Sequence, residues 1–98
     1  MAQEMDEVRR QLASVPAAVV VANHAMGLYE LAAIHLSSQP PAFSEAQVAI
    51  DGMSAIIDAL EGRLGENEPT LKDALSQLKM AYVQLKGAAE ATGATAEG

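Results

Sequence analysis

Cysteine and tryptophan are absent from this 98-residue chain, and only three side chains are aromatic: Tyr29, Phe43 and Tyr82. Without cysteine, disulfides and thiolate zinc sites are excluded, and nothing argues for secretion. With so few rings, a core must be built from Ala, Val, Leu, Ile and Met, which suits close helix packing better than a sandwich of strands. Basic residues are scarce too, six Lys and Arg against 13 Asp and Glu, for a net charge of −7. No basic cluster exists to neutralise several phosphates, so no nucleic-acid partner is expected. Anionic membrane surfaces would repel such a chain. The amino-terminal MAQEMDEVRR is acidic and amphipathic, with no basic start followed by an apolar core; no signal peptide is visible, and a cytoplasmic location is expected.

What is present is helical periodicity. Half the residues are apolar, and the length suits a single domain with a modest core. The first helix is expected over about 3–13, with Met5, Val8, Leu12 and Val15 at spacings of 3, 4 and 3, one apolar stripe on a charged helix. Pro16 disfavours helical geometry at Val15 and suits the first turn of a second helix, over about 16–37. SSQPPAF stops that helix, because two prolines cannot continue the hydrogen-bond ladder. At the start of the third, Ser44 and Gln47 have capping-box spacing, and Phe43 and Val48 that of a hydrophobic staple. Ile50, Met53, Ile57, Leu60 and Leu64 form its seam, with Gly65 as terminator. ENEPT is a turn, and a fourth helix to about Ala89 carries Leu71, Leu75, Leu78, Tyr82, Leu85 and Ala89. The fold class expected is all-α: a small bundle of three to four helices with a C-terminal antiparallel hairpin, residues 1–89 forming one domain and 90–98 a disordered tail. Folding about the turn brings Glu61 towards Lys72 and Asp58 towards Lys79.

The second helix raises the functional question. PAAVVVANHAMGLYELAAIHL, from Pro16 to Leu36, holds one full charge, Glu30, and two histidines. It approaches the roughly 20 apolar residues of a membrane span, but Asn23, His24 and Glu30 would fall in mid-bilayer and no basic residue follows. A helix buried on several sides in a water-soluble protein is expected instead, with Asn23 as a buried group fixing register. Three short helices cannot cover so much apolar surface, and the small side chains allow a second copy close approach. A homodimer is therefore expected, with Ala18, Ala22, Ala25, Leu28, Ala32, His24 and His35 as candidate interface residues. The histidines are eleven residues apart, roughly 16 Å along a helix, so one metal cannot take both.

Chemistry is hard to place. There is no glycine-rich phosphate loop, nucleophile elbow or cysteine, and the carboxylates occupy exposed helical faces unsuited to acid–base work. No catalytic residue, metal or cofactor is assigned, and an enzyme is not expected.

LASVPAAVVVANHAMGLYELAAIHL, SEAQVAIDGMSAIIDALEGRL and LKDALSQLKMAYVQL, in that order over roughly residues 8–87, resemble a family of short bacterial proteins common in actinobacteria. It is catalogued as domain of unknown function 1844. The resemblance implies an all-helical cytosolic protein with no assigned activity and, since such relatives are often encoded near translation genes, a translation-linked role. Two classes of function follow: a non-enzymatic homodimeric module with a protein partner, or a binder of a small apolar ligand beside helix 16–37, oriented by His24 or Tyr29.

Overall fold

A computed structural model describes residues 2–91. It contains helices α1 (Ala2–Ser14), α2 (Ala17–Leu36), α3 (Phe43–Ala59) and α4 (Glu68–Ala91), with a single 3₁₀ turn at Gly65–Asn67. No strand occurs among the described residues, and the all-α expectation holds. Glu90 and Ala91, expected in a disordered tail, continue α4; the rest of that expectation, residues 92–98, lies outside the described residues.

The breaks fall where the chain loses hydrogen-bond donors. Pro16 sits at φ −57°, ψ 137°, an extended conformation that separates α1 from α2. In the α2–α3 link, the Ala42 N–H donates to the His35 carbonyl at 2.9 Å, holding the two proline residues against the end of α2.

The core belongs to α2, α3 and α4. Ala22, Ala25, Ala32 and Leu36 of α2 are buried with Ala46, Ala49, Ile50, Met53 and Ile57 of α3 and Leu71, Leu75 and Leu78 of α4. Alanine on both sides of the α2–α3 contact lets the backbones approach closely; a Cβ added at Gly52 would lie 3.4 Å from Leu28 Cδ1. The start of α3 meets the later turns of α4, with Phe43 and Tyr82 edge to face at 5.4 Å and Lys86 over the Phe43 ring. The end of α3 meets the start of α4, where Lys72 Nζ lies 3.4 Å from Glu61. The hairpin is therefore antiparallel, as the short connection implies, and a core of Ile57, Leu75 and Leu78 with Leu60 packed on it matches the expected seam.

Four local expectations are corrected. No capping box or staple forms: α3 begins at Phe43 with Ala42 as its N-cap and no side-chain cap bond, and Val48 is exposed. The ring contact with Tyr82 draws Phe43 into the first turn, which shifts Ser44 inside the helix. Secondly, α3 ends at Ala59, not Leu64, because Gly62 adopts φ +82°, a left-handed conformation open to glycine. Leu64 is still buried, but from the connection. Thirdly, among the described residues Asp58 and Lys79 form no ion pair, since α3 unwinds between Asp58 and Glu61 and loses the helical spacing assumed for both pairs. Finally, Asn23 is exposed and fixes no core register.

Helix α1 stands apart. It has no buried residue and, among the described residues, packs against no other element. At about 1.5 Å per residue α4 spans about 36 Å, so the 59 Å long axis of the molecule requires α1 to project beyond the bundle. The radius of gyration, 17.4 Å, compares with about 13 Å for a compact chain of this length. The packed part of the expected 1–89 domain thus excludes α1.

One carboxylate organises the α3–α4 connection. Glu68 is buried and accepts the backbone N–H groups of Gly62 at 2.7 Å and Leu64 at 3.0 Å. Those two bonds, followed by the attraction of Lys72, hold its pKa below the usual carboxylate range against the opposing effect of burial. Lys72 in turn is held above its ordinary value, first by Glu68 and then by Glu61. A carboxylate whose folded pKa is depressed adds stability that is complete above its unfolded pKa and is lost as pH falls through the folded one.

Two outcomes are expected from denaturant unfolding. Leu78→Ala removes a side chain that is 4% exposed and should lower stability by about 2–5 kcal/mol; a loss below about 0.5 kcal/mol, the surface-site range, contradicts the core. Glu68→Gln should unfold at lower denaturant than the parent at pH 7, and the gap should close as pH falls below about 4. An unchanged gap at acid pH contradicts the assignment.

Candidate functional site

Helix α2 is long and apolar enough to cross a membrane by length and composition alone. Its core side is committed to α3 and α4, so the question is what its other side offers. At 100° per residue, Val20, Gly27, Leu31 and Ile34 fall on one outward strip. Leu31 is 43% and Ile34 61% exposed; Gly27 is exposed and Val20 half-buried. A Cβ at Gly27 would meet nothing within 4 Å. Asn23, His24 and Glu30, all exposed, flank this strip. It is an apolar face with polar margins, an arrangement met at helix–helix interfaces.

The seven interface candidates are not one surface. Ala22, Ala25 and Ala32 are buried in the chain's own core, at 3%, 0% and 0% exposure, and cannot meet a second copy. They were candidates because small residues permit close approach; α3 has taken that approach with Ala46 and Ala49. Ala18 and Leu28 are half-buried on the core's margins, His24 is exposed and His35 half-buried. Leu31 and Ile34 were not distinguished from the rest of an all-apolar helix. The positions of the alanines relative to them, about half a turn away, were the available signal.

Two further apolar surfaces are open. On α1 Met5, Val8 and Leu12 are 55%, 49% and 62% exposed, and Val15 just past its end is 39% exposed. Between α2 and α4 runs a groove of about 810 Å³, walled by Tyr29, Ala33 and Leu36 on one side and Ala81, Leu85 and Ala88 on the other, and ending at the α2–α3 link. None of its lining residues among those described is charged, though Ser37, Ser38, Gln39 and Gln77 are polar. His24 is not among them, so of the two residues considered for orienting a ligand only Tyr29 faces the groove.

Neither imidazole makes a hydrogen bond among the described residues, and no group of three His, Cys, Asp or Glu side chains there could hold a metal ion. Asp51, Ser54 and Lys79 border a smaller hollow of about 310 Å³ between α3 and α4. There Asp51 accepts from Gln47 at 2.8 Å, and no bond links it to Ser54 or Lys79. The arrangement has no activated nucleophile or paired acid and base; what it offers is apolar surface of helical shape.

No family model, curated protein or solved structure matches the chain, so the resemblance to domain of unknown function 1844 rests on its helix patterns alone.

Proposed function

We propose that this protein is a non-enzymatic interaction module that works in water as a homodimer, pairing through the outer face of α2 and presenting the remaining surface to a protein partner. The observation that carries the reading is the strip that runs from half-buried Val20 through Gly27, Leu31 and Ile34, the last three of which stay exposed among the described residues. Contiguous apolar surface of this kind marks interaction sites in soluble proteins, and a self-complementary strip suits a two-fold pair. The exposed Asn23, His24 and Glu30 beside it favour an aqueous protein interface over hydrocarbon. The family resemblance would connect such a module with translation. The open groove beside Tyr29 supports a second reading, binding of a small apolar ligand, in which native mass spectrometry of freshly purified protein would show a retained small molecule.

Sedimentation equilibrium across micromolar concentrations separates monomer from dimer. The parent should approach twice the 10.2 kDa chain mass, and Ile34→Glu should sediment as a monomer with an unchanged helical spectrum. Ile34 is the residue to change because it is exposed; a carboxylate at Ala25 or Ala32 would enter the core and unfold the chain. A parent that stays monomeric throughout contradicts the proposal.

A further inference from the structure

We infer that the two copies pair with their α2 helices parallel and in register, so that Glu30 of each faces His35 of the other along the margins of the interface. That direction rests on the pairing through the outer face of α2 proposed above, to which it adds a register and two polar contacts.

The open face has the rhythm of a helix pair. Val20, His24, Gly27, Leu31 and Ile34 follow one another at spacings of 4, 3, 4 and 3, the repeat of two helices that pack along their length. Val20 is half-buried and the other four are exposed. At about 100° per residue, Asn23 and Glu30 lie roughly 60–80° to one side of the middle of this seam, and His35 lies about 60° to the other. The acid is therefore on one margin and the imidazole on the opposite one. Among the described residues neither Glu30 nor the His35 ring has an ion-pair or hydrogen-bond partner.

Direction decides which margins meet. In a parallel two-fold pair each margin of one helix lies against the opposite margin of its partner, whereas in an antiparallel pair like margins lie together. Antiparallel helices would set the Glu30 margin against a second Glu30 margin and match no acid with an imidazole. Parallel helices match them twice. The offset agrees: Glu30 precedes His35 by five residues, the step from one flanking position of a heptad seam to the facing position of the partner's next heptad. Charges at those positions set orientation. The middle of the seam agrees too. In register, Gly27 meets Gly27, where the space for a Cβ is open, and His24 meets His24. One polar residue in such a seam fixes its register, and two neutral imidazoles satisfy each other, one N–H donating to the other ring's bare nitrogen.

Because the chain has no cysteine, disulfide trapping reads the direction. An Ile34→Cys protein mixed with a Val20→Cys protein and mildly oxidised should give disulfide dimers in which each variant is joined to itself. Val48→Cys, at a position 71% exposed on α3, should give none. A mixed product alone is the antiparallel result; it overturns the inferred direction and leaves the pairing of α2 standing. Joining of Val48→Cys as readily as Ile34→Cys overturns it as well. In the otherwise natural chain, His35→Glu places a like charge opposite Glu30 at two sites and should weaken dimerisation about fivefold by sedimentation. Adding Glu30→Arg to that variant should restore the parent's affinity. No loss in the first variant, or no recovery in the second, overturns the contact between Glu30 and His35. A dimeric parent that yields neither self-joined nor mixed product, or a parent that sediments as a monomer, overturns the pairing through this face and the direction with it.

Discussion

The close approach of α2 and α3 determines most of what surrounds it. Ala22, Ala25 and Ala32 of α2 are buried in one core with Ala46 and Ala49 of α3, and a Cβ at Gly52 would meet Leu28 at 3.4 Å, so small side chains let the two helices pack closely. Such a seam is stabilised by dispersion between many small contacts more than by any single large side chain. Its consequence is a thin core in which Met53 and Leu71 are the largest fully buried side chains. The same small residues cover little area, so a helix as apolar as α2 retains an outer face that α3 and α4 do not reach. The exposed strip and the open groove follow from one allocation of alanine.

Much of this fold was legible in the residues. Proline at 16, 40 and 41 separates the helices, and the 3–4 spacing of Ile50, Met53 and Ile57 and of Leu71, Leu75 and Leu78 identified side chains that are buried. Those signals persist because helical burial depends on a period that tertiary packing does not alter. The ends were harder to read. Ser44 and Gln47 have capping-box spacing, but a ring contact with Tyr82 nearly forty residues away moved the start of α3. Gly62 and Gly65 both adopt φ +82°, and only the fold shows that the earlier one ends the helix. Glu68 looked like one more acid in an acidic turn; its two backbone bonds require a connection whose shape no local pattern specifies.

The candidate surface was legible only in part. That α2 carried more apolar area than its neighbours could cover followed from composition. Which side stayed open did not, because a helix apolar all round has almost no directional pattern. Small residues suited α3 of the same chain as well as a second copy, and α3 is tethered beside them at high effective concentration. The intramolecular contact prevails, and Leu31 and Ile34 are left exposed. The stripe on α1 was visible from the start, but its spacing could not say that none of the described residues would cover it.

The central claim is that the bundle of α2, α3 and α4 folds within one chain and takes nothing from α1. Amide hydrogen exchange tests this most directly, since it reports protection helix by helix. The account predicts that core amides of α2, α3 and α4 are protected, whereas those of α1 exchange rapidly in dilute solution. Protection of α1 equal to that of the core amides in dilute solution would contradict it.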